Sequence, residues 1–384
     1  MLYPFSEEQK ILRDTIRSFV RKSVDPAKVM AYDHARKPLL DEYRAIAKNG
    51  WLCIGGSPQF GGIGSFVDVV ILLEEVSKGS HALSCVVGRT VSYACPTIDQ
   101  WGSPRLKEKY IPGLMAGDVI LSVAMTEPST GSDAAGITTK AEKAPGGYRI
   151  NGEKIYSSGA EFADIFLVST RTGAPSEKGG VTTLIVDRNS PGITVTPIDA
   201  LGHHSNAFGA VHFDNVLVPE ENILGRFNGG WSVLNAHLER ERINIAAKAL
   251  GGMAASLKEA TDFANARVQF GKPIATFQAI RHKLADMATD LHLSRLITYD
   301  AAAKYSSGKK CRFEAFSAKV FATEAYIRVA NHGLQIMGAH GYTARGHAER
   351  HVRDSRAGPI GGGTSEIMRN SIGKMVAEES WFQE

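Results

Sequence analysis

The sequence predicts a multidomain α+β protein: a helical N-terminal domain (1–117), a central β-barrel or sandwich domain (118–226) and a second helical domain (227–384). Three observations carry this. Apolar residues recur at helical spacing up to about residue 115, short β-rich runs punctuated by Gly, Pro, Asn and Asp follow to about 218, and helical periodicity then returns to the end. Strands are not interleaved with helices, which disfavours a doubly wound nucleotide fold. No GxGxxG follows a strand and no GxxxxGK[ST] occurs, so any nucleotide cofactor must bind by another architecture.

In the first domain Ile11, Ile16 and Phe19, then Leu72, Leu73 and Val76, mark helix faces, broken by the loop SPQFGGIGS at 57–65. VILSVAM, GYRING, ADIFLVS, VTTLIVD, GITVTPI and AVHFDNVLV then read as strands, at intervals suited to a small antiparallel barrel or sandwich. Beyond Pro219 and the Gly229-Gly230 pair, one long helix is expected from about Gly230 to Phe270, with Trp231, Leu234, Leu238, Ile245, Ala249 and Gly252 in one stripe. No repeat of fixed period and no low-complexity segment interrupts this order.

Composition narrows the function. The 384 residues are 43% hydrophobic and 22% charged, ordinary usage for a folded globular chain with sizeable cores. The 44 basic residues exceed the 40 acidic ones by only four, scattered along the chain, which disfavours a nucleic-acid partner. No apolar run approaches the ~18 residues of a membrane span. The N-terminus enters an amphipathic helix rather than a signal peptide, so a cytoplasmic compartment, or an organelle matrix after processing, is expected. Cys53, Cys85, Cys95 and Cys311 lack CxxC spacing and read as buried thiols.

Four features are candidates for chemistry. On the wheel of the long helix Arg242 falls inside the apolar stripe and Glu241 at its edge, where a charge is costly unless paired or used. An internal ion pair and a functional role both satisfy that requirement. PIGGGTSEIMR at 359–369 puts three glycines before a helix start, a simple turn or a site where free N–H groups meet anionic oxygens. TEPSTGSD at 126–133 is a polar loop between strands, equally a plain connection. His340, His347 and His351 bring only the last pair onto one helical face, and no metal site is expected.

Taken together, TEPSTGSD, INGEKIYSSGA at 150–160, FDNVLVPEENILG at 213–225, RVQFGKPIATFQAI at 267–280, LQIMGAHGYT at 334–343 and RDSRAGPIGGGTSEIMR at 353–369 resemble the signature segments of the acyl-CoA dehydrogenases. They occur in that family's order across nearly the whole chain, and FSEEQKILRDTIRSFV at the N-terminus also matches. The resemblance implies a helical domain, a β domain and a C-terminal four-helix bundle, assembled as a homotetramer with one FAD per subunit. It implies that Thr126 and Ser132 contact the flavin, Ser132 also the substrate, and that Tyr156 and Ser158 lie on a second flavin-contacting strand. By the same matching Arg267, Phe270, Gln278, Gln335 and Gly338 hold the FAD of a neighbouring subunit, and Thr364 and Glu366 lie beside the FAD.

The family desaturates acyl-CoA thioesters: a carboxylate removes an α-proton while a hydride leaves the β-carbon for flavin N5, and an electron-transferring flavoprotein is the usual acceptor. Many members carry the catalytic Glu directly before the Gly-Thr pair, where this chain has Gly362. Relatives such as isovaleryl-CoA and long-chain acyl-CoA dehydrogenases place it on the long helix next to an Arg, and LERERINIAAKALGG matches with Glu241 and Arg242. The resemblance therefore makes Glu241 the base, Gly362 a backbone donor to the thioester carbonyl and Arg242 a contact of the CoA phosphates. Tyr156 stands where several members have Trp, which bears on electron transfer to the acceptor. Arg89, the lone charge between His81 and Ile98 in a helix that borders the acyl pocket in this family, is a candidate partner for a substrate carboxylate, or else a structural ion pair.

Two other functions share these features. A flavin-dependent monooxygenase or oxidase of the same fold would need no α-proton base, and a non-catalytic CoA-thioester-binding subunit would bind ligands without flavin reduction. The Glu241-Arg242 pair opposes both.

Overall fold

Ser6 opens the first helix: its hydroxyl accepts from the Gln9 N–H and the Gln9 side chain returns to the Ser6 N–H, a capping box. The computed structural model describes residues 4–173, 179–236, 238–344 and 346–378. The N-terminal helices are α1 (Glu7–Ser23), α2 (Pro26–His34), α3 (Leu40–Lys48), α4 (Phe66–Gly79), α5 (His81–Arg89), α6 (Cys95–Trp101) and α7 (Pro104–Ala116), with a π-helical turn over Thr90–Ala94 joining α5 to α6. Val69, Val70, Ile71, Leu72 and Leu73 of α4 have no exposed surface, so this helix is buried all round instead of carrying one apolar stripe. Of its two deep carboxylates, Glu74 accepts from Arg295 and Tyr299, which ties α4 to the C-terminal helices, and Glu75 accepts from Arg17 of α1.

Eight strands follow: β1 (Leu121–Ala124), β2 (Lys140–Ala144), β3 (Gly147–Ser158), β4 (Ile165–Arg171), β5 (Val181–Asp187), β6 (Ile193–Ile198), β7 (Phe208–Val218) and β8 (Ile223–Leu224). Their order is β6-β7-β3-β2-β4-β5-β8, with β1 beside β4. The expected antiparallel arrangement needs one correction: β1 runs parallel to β4 over four residues, and β2 meets β4 in parallel at Lys140 and Arg171. The β2–β3 hairpin intervenes in sequence between β1 and β4, so the chain returns in the direction it left. Against β7, strand β3 slips register between Lys154 and Ser157, a bulge that matters below.

The C-terminal domain holds α8 (Gly230–Asn235), α9 (Leu238–Ala266), a hairpin of β9 (Val268–Gln269) and β10 (Lys272–Pro273), then α10 (Gln278–Ser306), α11 (Arg312–Met337), α12 (Ala339–Tyr342), α13 (Ala348–Ser355) and α14 (Ser365–Ala377). The single helix expected from Gly230 to Phe270 is thus two, α8 ending at Asn235 and α9 stopping before the hairpin. Helices α9, α10 and α11 pack together and α14 covers α11, while α4 reaches into the same core. Cys95 and Cys311 are buried as expected, whereas Cys53 and Cys85 are only partly covered, and all four are free thiols.

Candidate active site

Glu241 lies in the first turn of α9, half-buried between fully buried neighbours. Among the described residues its carboxylate has no hydrogen-bond or ion-pair partner. Burial raises its pKa, and this outweighs the opposing pull of Arg242, Lys248 and Lys319. Arg242 is 6% exposed, but it does not close an ion pair with Glu241: its guanidinium stacks 4.1 Å from the Phe316 ring centre, with Nε and Nη1 unpaired. Arg240, on the same turn, does serve structure, donating to the carbonyls of Gly55 and Val91.

Gly362 and Gly363 have φ of +64° and +90°, conformations that favour glycine. A Cβ on Gly362 would lie 2.5 Å from Ile245 Cδ1 and 3.6 Å from Glu241 Oε1, so the turn brings its backbone directly against the Glu241 carboxylate. Lys319, with no exposed surface, fixes this turn from beneath by donating to the Gly363 carbonyl at 2.7 Å. Burial, then Arg242, pulls its pKa down to about 8. The sequence reading missed Lys319; the available signal was a lysine within the small and apolar run of FSAKVFATEAY. Thr364 caps α14, its hydroxyl accepting from the Ile367 N–H, and Glu366 stands exposed on the first turn.

A second group is built on the β domain. The Thr126 carbonyl accepts from the Ile155 N–H, joining the 126–133 loop to the bulge of β3. In that bulge Tyr156 takes φ +58° and leaves 58% of its surface exposed. Glu127, also missed, anchors the loop: it accepts from the Thr138 and Thr139 N–H groups and from Lys154 Nζ at 2.7 Å. Burial would raise its pKa, but Lys154 and these donors hold it at about 2. Ser132 lies exposed on the same loop. The Ser158 carbonyl accepts from Ser122 and from Arg89, which also reaches Asn206 Oδ1 at 3.5 Å.

Arg267, Phe270 and Gln278 surround the β9–β10 hairpin, far from the Glu241 group: α9 alone separates Glu241 from Ala266 by about 38 Å at ~1.5 Å per residue. Phe263 packs on His340 with ring centres 5.5 Å apart, which sets Gln335 and Gly338 at the same end of the bundle. Phe270 is 92% exposed at φ +53°. One chain therefore joins Glu241, Arg242 and Gly362 with Thr364 and Glu366, gathers Thr126, Ser132, Tyr156 and Ser158 on the β domain with Arg89 bound to the Ser158 carbonyl, and holds Arg267, Phe270, Gln278, Gln335 and Gly338 at the other end of α9. His351 bonds the Tyr326 hydroxyl through Nδ1, away from His340.

These residues fit FAD. The Thr130 and Ser157 hydroxyls are buried without a protein partner beside an exposed aromatic ring, donors and a stacking surface of the kind a planar hydrogen-bonding group requires. No described helix is long and apolar enough to cross a membrane.

The comparisons agree over the whole length. Residues 6–118, 122–216 and 228–377 match the models of the acyl-CoA dehydrogenase N-terminal, middle and C-terminal domains. An acyl-CoA dehydrogenase of Bacillus subtilis (strain 168) is 37% identical over 97% of this chain and 98% of its own. The solved glutaryl-coenzyme A dehydrogenase in complex with glutaryl-CoA is 30% identical, with a TM-score of 0.94 over 98% of this chain and 96% of that one. The FAD complex of PigA is 25% identical, with a TM-score of 0.92 over 98% and 99%. The chain is a member of the acyl-CoA dehydrogenase family, an FAD-dependent oxidoreductase that dehydrogenates acyl-CoA thioesters.

Proposed function

We propose that this protein desaturates the α,β bond of its acyl-CoA with Glu241 as the base, and the observation that carries the reading is the unpartnered, partly accessible Glu241 carboxylate against Gly362. FAD supplies the acceptor for the β-hydride. Glu241 removes the α-proton; burial, by raising its pKa, strengthens it as a base, and Arg242 opposes that rise. The Gly362 N–H, on a turn fixed by Lys319, polarises the thioester carbonyl and stabilises the charge that develops there. Arg242 has two donors free for the CoA side of the ligand.

Thr126, Ser132, Tyr156, Ser158, Thr364 and Glu366 hold the FAD of their own subunit. Arg267, Phe270, Gln278, Gln335 and Gly338 complete a site in a neighbouring subunit of a homotetramer, a reading supported by the length of α9. Electrons leave to an electron-transferring flavoprotein, the family's usual acceptor.

Anaerobic titration of the FAD-loaded protein with acyl-CoAs tests this. At least one thioester should bleach the oxidised-flavin band, and Glu241→Gln should slow that step by at least ~10²-fold while FAD and ligand still bind. Near-normal reduction in the variant would place the base elsewhere.

A further inference from the structure

Three side chains with metal-ligand atoms converge from two domains. His81 and Cys85 are four residues apart in the first turns of α5 and share one face of it. His203 comes from the segment before β7, and its ring centre lies 4.9 Å from that of His81. One ligand atom from each of the three residues lies within 4.8 Å of the other two. Around zinc, Zn–N bonds of ~2.0–2.1 Å and a Zn–S bond of ~2.3 Å set such atoms about 3.3–3.6 Å apart, so shifts of roughly 1 Å close the set.

The hydrogen bonds leave the right lone pairs free. Ser77 has one hydroxyl proton and gives it to the Lys248 carbonyl at 2.7 Å, so at 3.1 Å it accepts from His81 Nδ1–H. That fixes the tautomer and leaves His81 Nε2 unprotonated, the arrangement in which a histidine binds metal. His203 Nε2 is buried with no hydrogen-bond partner. Burial holds both imidazoles below their ordinary pKa and so keeps them neutral. Cys85 is partly accessible, and the Lys248 ammonium against its thiol favours the thiolate while burial opposes it.

A positive charge is also what the surroundings lack. Asp354 is 2% exposed, acts on both imidazoles and accepts from the His203 backbone N–H at 2.7 Å. Among the described residues it closes no ion pair: Arg350, one turn earlier on α13, acts on it but is turned to His347 at 3.4 Å. A carboxylate so deep costs free energy unless a cation arrives. The thiolate and Asp354 carry two negative charges against the one positive charge of Lys248, whose partly accessible, flexible stem lets it move aside. Asp33, His34 and Glu349 cluster as closely, but there Arg353 already bonds both carboxylates.

We propose that His81, Cys85 and His203 bind zinc, with Asp354 balancing its charge. Two imidazoles and a thiolate suit a borderline-soft divalent ion and not magnesium or calcium, which take oxygen ligands. The ion clasps α5 of the N-terminal domain to the segment leading into β7 of the β domain, beside α13. This site is separate from Glu241 and holds whichever residue is the base.

Zinc chloride titrated into the chelator-treated, FAD-loaded protein tests this, with free zinc followed by a chromogenic competitor. One zinc should bind per chain, magnesium should not compete, and the melting temperature should rise with zinc concentration. Asp354→Asn keeps the three ligands and should weaken binding by about 10- to 100-fold, the cost of losing a group that supports a ligand; Cys85→Ser and His81→Gln should each weaken it further. Cobalt(II) in place of zinc should add a thiolate-to-metal charge-transfer band to the difference spectrum, absent in Cys85→Ser. That variant changes one atom, and its circular dichroism and flavin absorbance should match the parent's. Zinc bound equally well by Cys85→Ser, saturation below one zinc per chain, or competition by magnesium would each overturn the proposal.

Discussion

The Glu241 carboxylate packs against the Gly362 α-carbon: a Cβ on Gly362 would stand in van der Waals contact with Oε1, at 3.6 Å, and crowd Ile245 Cδ1, at 2.5 Å. The turn at 362 thus brings backbone, with no side chain of its own, up to the acidic group presented from α9. Gly362→Ala should lose about 1 kcal/mol or more to the left-handed backbone and the Ile245 contact, and lower flavin reduction by shifting the turn that faces Glu241. Thermal unfolding and single-turnover reduction measure the two effects.

Glu241 also sets a pH dependence. Its pKa is raised, so the ionised base is lost as pH falls through a value above 4.5, and flavin reduction should show an acid limb there that Glu241→Gln abolishes. The same shift has a stability sign. A carboxyl with a folded pKa above its unfolded one contributes stability fully present below the unfolded value and lost as pH rises through the folded value. At pH 7 Glu241→Gln should therefore melt at a higher temperature than the parent protein.

Glu127 behaves oppositely. Held at about 2 in the folded state, it contributes stability present above its unfolded value of 4.5 and lost as pH falls toward 2. Lys154→Met leaves Glu127 buried with its Thr138 and Thr139 donors but no counter-charge, and should cost about 3–5 kcal/mol and release FAD. Denaturant unfolding and flavin fluorescence during acid titration would detect this; an unchanged midpoint would show that the pair does not hold the loop.

Phe270→Ser alters a side chain that touches little in its own chain beyond Phe277. Circular dichroism should be unchanged, while light scattering should show weaker assembly and the flavin absorbance should drop. Full retention of both would leave the hairpin without a role in a shared site.

The alternation of strand runs with Gly and Asn turns, and the Gly229-Gly230 break, made the three-part architecture legible in the sequence, because these depend on local conformation. The parallel pairing of β1 with β4 was not, since it is fixed by tertiary contacts between segments some forty residues apart. The division of α8 from α9 was nearly as silent: Ala236 suits a helix interior, and Asn235, which favours caps and turns, was the one local signal. Glu241 could be singled out because its charge sits at the edge of an apolar stripe. Lys319 and Glu127 escaped notice because their importance lies in partners distant in sequence, the Gly363 carbonyl and Lys154.

The length of α9 carries a genetic consequence. If the base sits at one end and the hairpin at the other serves a neighbour, a defect at either end damages a different flavin site in the assembly. Two inactive alleles, Glu241→Gln and a hairpin variant, should then complement when co-expressed: the first lends its intact hairpin to the second, whose Glu241 is sound. Each alone would be dead, and mixed assemblies would regain a fraction of the sites.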